Sequence, residues 1–290
     1  MVAVARQRPD EDDAAMKPSI CSGGNMDTMT AERNRKIIES FRVPERILFL
    51  FSKDPASVFR NGYEGGASGE WNSDNALSVL RREFPDFDAL IRDKRVLDYG
   101  CGDGFQSIAM AKAGAARVFG VDLDESRLVH ARRLARGVDN LSFSEYISEE
   151  VDLAISLNAF EHFPEPSGNL RELSRAVRAG GQILITFGPP WLAPFGAHVG
   201  FFTSCPWANV LFSVHTLNRV RMLYRGDAQD DVDYGPNKIT VRSFENLIEQ
   251  SGLLVERLEY RTAKNLPLGR IPGVREFFIN HITCILRRPA

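Results

Sequence analysis

The stretch RVLDYGCGDGF, residues 95–105, decides how this chain is read. Its first five residues make a short run suited to a strand, and Phe105 opens a helical run that Gly114 stops. Between the two stand Gly100, Gly102 and Gly104. Glycines in this spacing let the backbone bend sharply and approach a ligand where any Cβ would collide. The dinucleotide fingerprint has the longer spacing GxGxxG, and its pyrophosphate sits at a helix N-terminus where a neighbouring carboxylate is unwelcome. Here an acid, Asp98, precedes the glycines, which suits a ligand carrying a cationic amino group.

The same alternation continues on both sides. RVFGVD (117–122) is a strand, and residues 125–136 form a helix with Leu128, Ala131 and Leu134 on one side, closed by Gly137. LSFSEYI (141–147) and DLAISL (152–157) are strands. Residues 166–178 form a helix that Gly180 and Gly181 end before the strand QILITF (182–187). A helix over 241–250 and the strands LLVERLEY (253–260) and HITCILR (281–287) complete the series. Upstream, residues 31–53 read as helix interrupted near Pro44, the turn YEGGASGEWNSD (63–74) follows, and a second helix covers 75–84. Strands alternating with helices specify a doubly wound, mostly parallel α/β sheet covered on both faces. In such sheets the ligand lies beyond the carboxyl ends of the strands, where strand order reverses.

Bulk composition narrows the function. The 290 residues are 43% hydrophobic and 26% charged, an ordinary globular balance, and 36 basic against 38 acidic residues give a formal net charge of −2. No strong field is available to hold a polyanion, so nucleic acid is not an expected partner. Cys21, Cys101, Cys205 and Cys284 are scattered without metal-ligand spacing. They read as free thiols of a reducing compartment, with no metal expected. Residues 1–30 are polar and aperiodic, read as a disordered tail without the apolar core of a secretory signal, and the protein is expected to be cytoplasmic.

LDYGCGDG, GVDLD, LNAFEHF and RAGGQILIT, taken together across residues 96–187, resemble the motifs of the class I S-adenosylmethionine-dependent methyltransferases. The resemblance implies a Rossmann-like, seven-stranded sheet with S-adenosyl-L-methionine as cofactor. It implies that Asp98 helps hold the methionyl amino group, that Gly100, Gly102 and Gly104 lie against the cofactor, and that Asp122 accepts both ribose hydroxyls. Leu123 and Asn158 join the cofactor site, and Glu145 is the candidate for the adenine. Read without the family, Asp98 would be a turn former and Asp122 a helix cap beside Asp124. The domain layout that follows is a tail over 1–30, an N-terminal helical cap over 31–92 and a methyltransferase domain over 93–290, with a lid inserted after strand 5 at 188–238.

Methyl transfer from a sulfonium is an in-line displacement, and a hydroxyl acceptor gains from a base. His162, in NAFEHF, and His198, in GPPWLAPFGAH (188–198), are the candidate catalytic residues. Each also has a plainer reading: a turn or cofactor-seating residue for His162, a packed loop histidine for His198. GPPW differs from the Asn/Asp-Pro-Pro-aromatic motif of base methyltransferases, because it follows the fifth strand and Gly188 replaces the amide or acid. From 182 to 218 the chain has no Asp, Glu, Lys or Arg, yet Pro189, Pro190, Pro194 and Pro206 would break any spanning helix. The segment reads as a stiff apolar lid in which Trp191, Phe195, Phe201 and Phe202 face the acceptor, or as a second small core, or as both. The expected activity is O-methylation of a small, substantially apolar acceptor of lipid, polyketide or aromatic type. N-, S- or C-methylation and a non-catalytic S-adenosylmethionine-binding partner are the alternatives, and a nicotinamide-dependent oxidoreductase is opposed by the glycine spacing.

Overall fold

The computed structural model describes residues 28–60, 75–225, 237–263, 269 and 271–290; the tail to residue 27, the turn 63–74 and the lid stretch 226–236 lie outside them. Seven strands form one sheet in the order β3-β2-β1-β4-β5-β7-β6. They are β1 (Arg95–Tyr99), β2 (Arg117–Val121), β3 (Leu141–Ser144), β4 (Val151–Leu157), β5 (Val177–Phe187), β6 (Leu254–Thr262) and β7 (Ile279–Arg287). The first five pair in parallel, while β7 runs antiparallel to both β5 and β6. Strand order reverses between β1 and β4, so the crevice for a ligand opens at their carboxyl ends.

Local chemistry explains the helix limits. α6 (Phe105–Lys112) starts at Gly104 in the left-handed region. α7 (Glu125–Leu134) is capped by Asp124, whose side chain accepts from the N–H groups of Ser126 and Arg127. α11 (Val241–Ser251) carries a capping box between Thr240 and Ser243 and ends at Gly252. α8 (Pro166–Ala176) stops two residues earlier than its periodicity predicts. β5 begins at Val177 and runs through Gly180 and Gly181, because a register shift opposite Val151 and Leu153 absorbs the glycines as a bulge. The single interrupted helix expected over 31–53 is two: α1 (Thr28–Glu39) and α2 (Val43–Leu50), with Pro44 in the first turn of α2, where its missing N–H is harmless.

Three apolar cores result. Two cover the faces of the sheet, one built on Leu97, Ile183 and Phe244 and the other on Val96, Ile155 and Leu184. The third joins Ile37 of α1, Phe41 between the helices and Leu48 of α2 to Val199, Phe202, Leu217 and Val220 of the lid. The helical cap expected over 31–92 is therefore divided. α4 (Ala76–Glu83) and α5 (Phe87–Ile91) supply Leu80, Phe84 and Phe87 to a sheet face, whereas α1 and α2 pack on the lid. Glu83, almost fully buried, fastens α4 to the antiparallel strands: it accepts from Arg261 and Thr283 and faces His281 at 3.4 Å.

The lid is not a bare loop. It contains α9 (Ala208–Leu211) and α10 (Val214–Arg221), and its main chain bonds to the N-terminal helices, from Lys53 N–H to Phe202 O and from Ser204 N–H to Phe51 O, each 2.8 Å. Asn34 donates to Leu223 O across 189 positions of sequence. The two legs of the insertion meet at its base, where Trp191 N–H donates to Ile239 O at 2.8 Å. Among the described residues no helix is long and apolar enough to cross a membrane.

Candidate functional site

A cleft of about 740 Å³ lies at the carboxyl ends of β1, β2 and β4, within the size range of small-molecule sites. Its floor is the glycine bend. Gly100 has φ +79°, and a Cβ there would stand 2.7 Å from Cβ of Ala159, so β4's exit loop fixes the absence of a side chain. Gly104, at φ +78°, is glycine for a different reason: a Cβ would stand 2.6 Å from the Phe143 ring, which packs over the start of α6. The bend is anchored to β2, since Gly100 and Cys101 both donate to Val121 O.

Asp122 closes this side. Its two oxygens accept from Gly102 N–H at 2.8 Å and Asp124 N–H at 3.0 Å, which fixes the carboxylate while leaving lone pairs free for a ligand. Leu123, strongly exposed, and Glu145 stand beside it on the cleft wall. Asp98 does not reach that wall. It is buried beneath the bend, accepts from Ser107 Oγ at 2.5 Å, and its carboxyl is pushed up to about 6, first by burial and further by the charge of Asp122. Asp98 thus lies one layer below the glycine bend rather than on the cleft wall.

The opposite wall is built by the loop after β4. Asn158 lines the cleft with a positive φ of 47°, and its N–H donates to Thr186 O. Phe160–His162 forms one 3-10 turn that turns Glu161 inward and leaves His162 exposed on the cleft. Glu161 is 1% exposed; one oxygen accepts from Gly188 N–H at 3.4 Å, and Oε2 has no partner. Burial pushes its carboxyl up to about 7. His198 arrives from the lid on a left-handed pair, Ala197 and His198, and its ring stacks on His162 with centres 5.1 Å apart. Its Nε2 has no hydrogen-bond partner and lies 3.8 Å from Glu161 Oε1. Burial, then the charges of His162 and Arg221, push His198 down to about 4.

The structure thus brings His162, His198, Asn158, Asp122 and the glycines to one region, but not the aromatic residues expected to face an acceptor. None of Trp191, Phe195, Phe201 and Phe202 lines the cleft. Phe202 is a core residue, 1% exposed and packed against Phe201 and Tyr224, because the lid must bury an apolar face against α1 and α2 before it can offer one to a ligand. Trp191 lies under Lys238 Nζ, 5.4 Å above its ring. His130 and His215 are exposed.

Other residues enter the site without a sequence signal. Arg127 reaches from α7 across the bend and donates to Asp103 at 3.0 Å. Tyr99 donates to Glu172 at 2.6 Å and accepts from Asn169 at 2.8 Å, bringing α8 into the wall. Asn237 holds the turn from behind, donating to Phe160 O and Phe163 O from its side chain and to Glu161 O from its N–H. Each depends on a pairing between distant segments, to which periodicity and spacing are blind.

Comparison with known proteins points the same way. Residues 97–185 match the family model described as a methyltransferase domain. The chain is 32% identical over 130 residues to a ubiquinone biosynthesis O-methyltransferase of Neisseria meningitidis serogroup C (strain 053442), covering 41% of this chain and 54% of that protein. It is 35% identical over 119 residues to the protein of the same name from Pseudomonas entomophila (strain L48), covering 38% and 51%. The chain therefore spans about half the length of the curated relatives it matches. Among solved structures, an S-adenosylmethionine-dependent methyltransferase from Mesorhizobium loti superposes with a TM-score of 0.51 at 20% identity, covering 77% of this chain and all of that one, a likeness of fold.

Proposed function

We propose that the chain, whose residues 97–185 match a methyltransferase domain, is a class I S-adenosylmethionine-dependent methyltransferase that methylates a hydroxyl oxygen of a small, substantially apolar acceptor. The observation that carries the reading is Asp122, held by two main-chain N–H groups beside the glycine bend at the point where strand order reverses. A fixed carboxylate there matches a pair of ribose hydroxyls, which give charge-assisted bonds. Gly100 supplies the close approach, Leu123 and Glu145 the adenine end, Asn158 the wall near the methionine, and Asp98 a negative charge beneath the amino group. The bound cofactor supplies a methyl group activated by a cationic sulfur.

The chain's own part is to position, to dry the site and to move a proton. His198, with its unpartnered Nε2, takes the acceptor's proton, and the Glu161 carboxylate 3.8 Å away stabilises the imidazolium that forms. His162, stacked on His198, fills the space between base and cofactor. The lid, seated on α1 and α2, excludes water from this end. Oxygen as the acceptor atom and an apolar, quinone-like or lipid-like acceptor are supported by the names of the relatives and by the uncharged stretch 188–218 of the lid. Residues 93–290 act as the catalytic unit with 188–238 as its insertion, and the thiols Cys101, Cys205 and Cys284 fit a cytoplasmic setting.

Incubation with methyl-labelled S-adenosylmethionine and a fractionated cell extract, followed by mass spectrometry, tests the reading. A labelled ether is expected. Label on nitrogen, sulfur or carbon would correct the acceptor atom, and absence of both labelled product and cofactor binding would overturn the reading.

A further inference from the structure

Glu161, His162 and His198 each present one ligand atom, and these three atoms lie within 4.8 Å of one another. Glu161 is almost wholly buried and its Oε2 meets no donor; Nε2 of His198 is likewise a buried atom without a partner. A buried carboxylate oxygen and a buried imidazole nitrogen left unmatched in one cluster are unfavourable, and one cation among them satisfies both. We propose that this cluster is a divalent transition-metal site that clamps His198 of the lid to the Glu161–His162 turn of the cleft.

The donor set argues for the class of ion. Two imidazoles and one carboxylate suit zinc and cobalt, whereas magnesium and calcium favour all-oxygen shells. Three protein ligands leave a fourth position for water. The imidazoles must be neutral to ligate. Resting on the methyl-transfer reading is one consequence: coordination uses the lone pair that a base needs, so an occupied site and proton acceptance by His198 exclude each other.

Titration of the chelator-treated full chain with Co²⁺, read by visible d–d absorption, tests the site without any assay of activity. One ion per chain in a low-symmetry, intensely absorbing environment is expected. His198→Ala and Glu161→Gln should each weaken binding by roughly 100-fold or more, since even outer partners of metal ligands are worth 10–100-fold. His215→Ala, at an exposed histidine outside the cluster, should leave the spectrum unchanged. Circular dichroism of each variant, and calorimetry with S-adenosylmethionine, establish folding and cofactor binding separately. A chain that binds the cofactor but shows no Co²⁺ bands, or whose bands persist in both ligand variants, overturns the metal site and leaves the methyltransferase reading intact.

Discussion

Gly102 and Asp122 are joined by a main-chain N–H to carboxylate hydrogen bond of 2.8 Å, which ties the bend after β1 to the end of β2. One side chain thereby orders the floor of the cleft and presents its own free lone pairs to whatever lies on it. Asp122→Ala should weaken S-adenosylmethionine binding by about 1.5–3 kcal/mol, the loss typical of hydrogen bonds to a charged group. Isothermal calorimetry reads this directly. An unchanged affinity would sink the assignment of the cofactor site.

His198→Ala should lower turnover by roughly 10²–10⁴-fold while leaving cofactor affinity as it is, because the ring comes from the lid and not from the glycine bend. Equal losses in turnover and in cofactor binding would instead mean that His198 supports the cleft wall.

Phe202 and Phe201 are adjacent but separable. Phe202→Ser opens the core shared by the lid with α1 and α2, and should destabilise the fold by about 3–5 kcal/mol in urea titration. Phe201 is partly exposed, meets Phe202 edge to face with ring centres 5.0 Å apart, and lies under Arg221. Its replacement by serine should destabilise the fold less than Phe202→Ser, because its ring is only partly buried. Equal stability losses at the two positions would make the whole segment core.

Glu83 makes stability depend on acid. Burial alone would raise its carboxyl, but His281, Arg261 and Arg82 outweigh burial and bring it from 4.5 down to about 2. A group whose folded value is depressed contributes stability that is fully present above the unfolded value and lost as pH falls towards the folded one. The window here is therefore from about pH 4.5 down to about pH 2, and the contribution is on the order of 3 kcal/mol. Thermal melts of wild type and Glu83→Gln should differ at neutral pH and converge near pH 2. A constant difference across the range would show that Glu83 acts through packing.

Which parts of this molecule can be read from its residues follows from the range of the forces involved. The glycine bend is legible because its requirement is local: Gly100 has a positive φ and no room for a Cβ, whatever the remainder of the chain does. Asp122 is legible because strand and helix signals place it at a strand end. The burial of Asp98 and its bond to Ser107 are not legible, being set by the first turn of α6, and the core position of Phe202 is not, because an aromatic side chain reads alike in a core and in a pocket. Arg127, Glu172 and Asn237 leave no local trace. Each earns its place through a partner brought in by topology, Asp103, Tyr99 and the Phe160–His162 turn respectively.

The bond from Trp191 N–H to Ile239 O brings the start and finish of the inserted segment to one point beside β5. A piece of chain that departs and returns through the same doorway can be exchanged for another of different length without shifting any strand of the platform beneath it. On the methyl-transfer reading proposed above, a graft of this segment between relatives would change the acceptor end while leaving the glycine bend as it is.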